Sequence, residues 1–128
     1  MSTQKLLDVS GPTWIPVVCL ADASGNTYSA SGGGGATAPS TGTQTNVASS
    51  ATDVTILAAN AARKGGMIFN DSTAVLYLLF STGTSSATNY STQIAAGGML
   101  SIRVGEYTGI VKGLWATANG SARVTEFS

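Results

Sequence analysis

Along the second half of the chain, apolar and polar residues alternate with a period of two, a pattern that predicts strands rather than helices. Asp53-Val54-Thr55-Ile56-Leu57 alternates as a half-buried strand should. Met67-Ile68-Phe69 runs into the turn residues Asn70-Asp71-Ser72-Thr73 and then into Ala74-Val75-Leu76-Tyr77-Leu78-Leu79-Phe80, which predicts a hairpin. The second of these strands is apolar on both faces, so both should be covered. One would face the core, and the other a second subunit or the edge of a second sheet. Residues 90–95 and 99–104 flank Ala96-Gly97-Gly98 as a further hairpin. Residues 110–118 and 121–127 flank Asn119-Gly120, a pair suited to the positive φ values of a type I′ turn. On the strand before that turn, Val111, Gly113, Trp115 and Thr117 share one face, and Ile110, Lys112, Leu114 and Ala116 share the other.

Seven or eight short strands are thus expected between residues 44 and 128, with turn signals every eight to twelve residues. That spacing predicts an all-β fold, an antiparallel β-sandwich or jelly roll. Residues 58–64 contain good helix formers, but Gly65-Gly66 closes the run after one turn or two at most.

The first third of the chain reads differently. Trp14-Ile15-Pro16-Val17-Val18-Cys19-Leu20 is an extended segment; Asp22-Ala23-Ser24-Gly25-Asn26 is a turn, and residues 27–30 form a short second strand. Two strands alone bury too little to stand in water, so this hairpin arm should dock on something. Gly32-Gly33-Gly34-Gly35 opens a stretch of Gly, Ala, Ser, Thr and Pro that is costly to order and reads as a linker. The expected organisation is therefore an arm over residues 1–31, a linker over 32–43 and a sandwich domain over 44–128. Because the linker separates arm from domain, attachment to a partner is the preferred reading of the arm over packing on the domain. Its apolar residues Trp14, Ile15, Val17, Val18 and Leu20 are the candidates for that contact.

Composition narrows the function. Charged residues make up 9% of the chain and balance at six Lys plus Arg against six Asp plus Glu, so no basic face is expected to recruit nucleic acid. The single cysteine, Cys19, rules out a disulfide framework within the chain. The apolar run at residues 15–21 is too short to span a membrane, is broken by Pro16, and lacks the basic start of an export signal. The expectation is a mature protein made in the cytoplasm, with no membrane partner.

Candidate chemistry is sparse. With no histidine, a serine could be activated only by Lys5, Lys64 or Lys112, and none stands in a Ser-x-x-Lys arrangement. The acids Asp8, Asp22, Asp53, Asp71, Glu106 and Glu126 are scattered singly, without the pairing of a glycosidase or the alternation of a calcium loop. Asp22 and Asp71 lie among turn residues and are expected to cap them. The glycine run lacks the strand, helix and Lys-Ser/Thr pair of a phosphate loop. Asn70, Asn89 and Asn119 each begin an Asn-x-Ser triplet, but each also falls at a predicted turn. No enzyme, cofactor or metal is expected. Tyr77, Tyr90, Tyr107, Trp14 and Trp115 could build a sugar-binding platform, although aromatic residues more often fill cores or subunit interfaces. Tyr77, Leu79 and Trp115 are the candidates for a subunit interface.

One resemblance joins these readings. It rests on Val54-Thr55-Ile56-Leu57-Ala58-Ala59-Asn60 with Arg63-Lys64-Gly65, Ile68-Phe69-Asn70-Asp71-Ser72, Leu76-Tyr77-Leu78, Ile94-Ala95-Ala96-Gly97-Gly98, Tyr107-Thr108-Gly109-Ile110, Gly113-Leu114-Trp115-Ala116 and Gly120-Ser121-Ala122-Arg123-Val124-Thr125-Glu126. Over about residues 45–127 the chain resembles small virion modules of tailed bacteriophages. These occur as capsid decoration (cement) and head-fibre proteins and within tail-fibre adaptors. Pro16-Val17-Val18-Cys19-Leu20, Tyr28 and the glycine run are similar to linker hairpins of the same kinds of protein. The resemblance implies a non-enzymatic structural protein, a homotrimer, assembled in the host cytoplasm into a virion. Its partner would be the major capsid protein or, in the tail-fibre alternative, tail proteins and host surface glycans.

Overall fold

The computed structural model describes residues 20–21, 27–28 and 37–128. The chain divides into two compact units, Met1–Gly35 and Ala36–Ser128. In the first, β1 (Leu20–Ala21) pairs antiparallel with β2 (Thr27–Tyr28), Leu20 opposite Tyr28.

The second unit holds eight strands and, among the described residues, no helix: β3 (Gly42–Ala48), β4 (Val54–Leu57), β5 (Gly65–Asp71), β6 (Leu76–Leu79), β7 (Thr92–Ile94), β8 (Met99–Ile102), β9 (Val111–Trp115) and β10 (Ser121–Phe127). They form two antiparallel four-stranded sheets, ordered β3-β10-β5-β8 and β4-β9-β6-β7. The all-β, sandwich-like architecture is the expected one. Strand β3 starts at Gly42, inside the stretch read as linker, because residues 42 and 43 pair with Phe127 and Glu126.

The pairings nest, first strand with last. β3 joins β10, β4 joins β9, β5 joins β8 and β6 joins β7, and the β10–β5 and β9–β6 ladders then close the two sheets. Every connection except β6–β7 therefore crosses from one sheet to the other. The three hairpins expected at residues 70–73, 96–98 and 119–120 are instead sheet-to-sheet crossings. Neither Asn119 nor Gly120 has a positive φ, so the turn is not type I′. Glycine is needed at 120 for another reason: a Cβ there would meet the Asp71 carbonyl and lie 2.7 Å from Ser72 Cα. Asn119 Nδ2 donates to Thr73 Oγ1 at 2.7 Å, and Thr73 N–H donates to Asn119 Oδ1 at 3.2 Å. The two crossing loops thus lie against each other.

The core sits between the sheets and follows the predicted alternation. Ile68, Ala122, Val124 and Ile102 come from one sheet, and Ile56, Leu76, Leu78, Ile94, Val111 and Trp115 from the other; all are buried. Residues 58–64 form a turn, not a helix, in which Asn60 Oδ1 accepts the Ala62 N–H at 3.0 Å.

Candidate functional site

Three polar clusters stand out in the Ala36–Ser128 unit, built around the buried Asn70, Arg63 and Ser85, and each bonds groups of the protein itself. At one end of the sandwich Asn70 is fully buried at the close of β5. Its Nδ2 donates to the carbonyls of Ala74, Ile94 and Ala95 at 2.8, 3.0 and 3.1 Å. Its Oδ1 accepts from Ser72 Oγ at 2.8 Å and Trp115 Nε1 at 3.0 Å. One amide therefore holds two crossing loops and the central tryptophan in place. This burial also keeps the Asn70-Asp71-Ser72 triplet from modification in the folded chain.

At the other end Arg63 does the same work. Its side chain is fully buried; Nε donates to Glu126 Oε1 at 2.6 Å and Nη1 to the Gly109 carbonyl at 2.8 Å, while Nη2 donates to the Ala58 carbonyl. A rigid fork of donors suits such a junction better than an ammonium. Asn60 Nδ2 adds a second bond to the Glu126 carboxylate at 3.2 Å.

The third cluster lies on the outer side of the β4-β9-β6-β7 sheet. Asp53, just before β4, accepts from Ser85 N–H at 2.7 Å and Ser85 Oγ at 2.6 Å, and it forms an ion pair with Lys112 on β9. Ser85 and Lys112 both bond the carboxylate, so the group anchors the 80–91 connection. Burial pushes the Asp53 carboxyl up, but the hydrogen bonds from Lys112 and Ser85 outweigh it and hold the carboxyl below its ordinary value. A depressed folded pKa contributes stability that is present above the unfolded value and lost as pH falls through the folded one. Acid unfolding should therefore be shallower for Asp53→Asn than for the parent below about pH 4, the range where a free Asp titrates. Parallel melting curves from neutral pH to pH 2 check this; identical slopes would remove Asp53 from the acid response.

That anchored connection changes the expected interface. Leu79 points out of the sandwich but is 8% exposed, because the 80–91 segment folds back over it: a Cβ at Gly83 would lie 3.6 Å from Leu79 Cδ2. The outer face of β6 is thus covered at Leu79 by the chain itself. Trp115 is 1% exposed and belongs to the core, so it cannot join a surface contact. Of the three interface candidates only Tyr77 retains half-exposure, and Tyr90 lies against it with ring centroids 4.9 Å apart. Tyr107 packs edge-on against Phe80 at 5.1 Å and is no part of that pair. Trp14, Ile15, Val17 and Val18 lie outside the described residues; Leu20 is placed in β1 by its backbone.

On the outer face of the other sheet, Met67 and Phe69 of β5 lie beside Met99 of β8, with Phe69 directly opposite Met99. Met67 and Met99 are 36% and 56% exposed, which makes this the apolar part of an otherwise polar face. Beside it Arg123 pairs with Asp71 at 2.6 Å in solvent, so Asp71 serves a cross-strand ion pair and not the turn cap expected of it. A shallow open depression of about 320 Å3 follows β3 and β10, lined by Gln44, Thr45, Asn46, Arg123, Val124 and Thr125. Among the described residues no three His, Cys, Asp or Glu side chains come together as metal ligands, and no buried side-chain polar atom lacks a partner.

Sequence reasoning missed Arg63, Asn70 and the Asp53–Ser85–Lys112 group. Each has decisive partners tens of residues away, Glu126 and Gly109 for Arg63, Ile94 and Trp115 for Asn70, Ser85 and Lys112 for Asp53, so local spacing does not announce them. No family model, curated protein or solved structure matches this chain.

Proposed function

We propose that this chain is a structural virion protein of a tailed phage, decorating or cementing the capsid. In this reading the Ala36–Ser128 sandwich is the displayed body and the N-terminal arm is the attachment. The observation that carries it is where the polar chemistry goes. Arg63, Asn70 and Asp53 all bond to loops and crossings of the chain itself, and with charged residues at 9% of the chain most of what remains at the surface is hydroxyl, amide and methyl. Such a surface suits a body that endures rather than reacts. We read the nested strand pairing as a jelly roll, a winding that leaves both termini of the sheet pair on neighbouring strands. Several copies tethered to one particle gain by effective concentration what each short arm lacks alone.

Deleting residues 1–35 tests the reading directly. The truncated chain should keep its β circular dichroism and melt as one unit, yet no longer bind purified particles by co-sedimentation. Retained binding would place the attachment on the sandwich and contradict the arm's role.

A second reading has its own observation. Tyr77 and Tyr90 share a surface with Gln93, which lies opposite Tyr77 on β7, and an aromatic pair beside an amide is a feature that sugar-contacting surfaces use. On that reading the chain is a tail-fibre or adaptor component that contacts host surface glycans.

A further inference from the structure

The two sheets have four edges, and three of them resist strand addition by ordinary means. β7 is three residues long. β4 is four residues long and its register slips between Thr55 and Leu57. β8 is four residues long and is followed by Arg103, whose N–H is taken at 2.8 Å by the Glu106 carboxylate. Short strands, bulges and charges are how natural sheets protect their edges.

β3 has none of these. It runs seven residues in unbroken register against β10, and its sequence Gly-Thr-Gln-Thr-Asn-Val-Ala has no charge and no proline. Every side chain on it except Val47 is exposed. The ladder fixes which main-chain groups are free. Thr41 and Ser128 exchange both hydrogen bonds, at 3.1 and 3.0 Å, and Ser49 donates to Gly120 at 2.9 Å. In an antiparallel pair such residues alternate, so 41, 43, 45, 47 and 49 face β10. The N–H and C=O groups of Gly42, Gln44, Asn46 and Ala48 therefore point away from the sheet, along an edge that no described strand pairs with.

The geometry points to β3 as a homodimerisation edge that pairs antiparallel with β3 of a second copy, joining two sheets into one. The register follows from the free groups. Setting Gln44 opposite the second copy's Asn46, and Gly42 opposite its Ala48, uses all of them and puts Thr45 against its own copy on the twofold axis. The occupant is a second copy because the edge is complementary to itself. Gln and Asn side chains each carry donors and an acceptor, facing threonines form a favourable cross-strand pair, and no like charges meet. A contact between identical strands about a twofold is isologous, so it pairs chains and does not close a ring of three. This departs from the threefold association that the phage resemblance implies, and it stands independently of any role on a particle.

Sedimentation equilibrium of the full chain over a concentration series tests it. The parent should approach the mass of two chains. Gln44→Pro removes a donor that faces the open edge and none that faces β10, so it should sediment as one chain with unchanged circular dichroism and melting temperature. Thr45→Lys places like charges on the axis and should also give single chains, and an equimolar mixture with Thr45→Glu should restore the pair. That charge-swap test holds even if the proline variant folds poorly. A parent that stays monomeric throughout, a mass of three chains untouched by these substitutions, or a Lys/Glu mixture that stays unpaired would each overturn the proposal. Loss of particle binding plays no part in the outcome, so a failure here is distinct from a failure of the virion reading.

Discussion

Trp115→Ala is expected to lower stability by about 3–5 kcal/mol, the usual cost of truncating a fully buried tryptophan. The indole is 1% exposed at the end of β9, between Leu76 of the neighbouring strand and the opposite sheet. Two losses combine. The cavity forfeits packing, and Asn70 Oδ1 loses the 3.0 Å bond from Nε1. Trp115→Phe separates them: it restores most of the volume without the donor, and the lost bond itself should cost about 0.5–1.5 kcal/mol, since Ser72 Oγ still donates to Asn70 Oδ1. Chemical denaturation of the three proteins measures both steps. An unchanged midpoint for the alanine variant would mean that the indole is not in the core.

Arg63→Ala is expected to be comparably severe, about 3 kcal/mol or more, because removing one partner of a buried pair strands the rest. Glu126 would lose its 2.6 Å bond, although the carboxylate is 23% exposed and water can repair part of that loss. The carbonyls of Ala58 and Gly109 would lose the same donor. Arg63→Lys keeps the charge but cannot reach those acceptors as a fork, so it should recover only a minor part of the stability. Thermal melts of both variants check this. A lysine variant as stable as the parent would show that charge alone matters at this junction.

Both substitutions bear on how much of the molecule could be read from its sequence. Strand positions were legible because the alternation is strong: Val111, Gly113 and Trp115 do share the inward face of β9, as their spacing predicts. Connectivity was not. Turn residues such as Asn119-Gly120 report that the chain bends, but whether the next strand returns to the same sheet depends on contacts far away in sequence. Here Gly120 fits tightly against Asp71 and Ser72, and a crossing results. The double-sided apolar character of β6 predicted two covered faces; the inner one is buried, and the outer one is covered at Leu79 but not at Tyr77. That character pointed to a second subunit or a sheet edge as the outer cover, whereas at Leu79 the cover is the 80–91 segment of the same chain, with Gly83 against Leu79 and Ser85 bonded to Asp53. Arg63 and Asn70 look like ordinary loop residues in sequence, and only the assembled sandwich gives them their partners. The arm residues Trp14, Ile15, Val17 and Val18 stay candidates on the strength of their apolar character and the glycine run that follows them.

Display of this sandwich on a phage particle, as proposed, should be visible by gold-labelled electron microscopy. Intact virions would be labelled with an antibody raised against residues 45–128. The capsid reading predicts regular label over the whole head. Label confined to the collar or tail tip would contradict it and move attention to the Tyr77–Tyr90 surface as a glycan contact, and particles without label would contradict a virion role altogether.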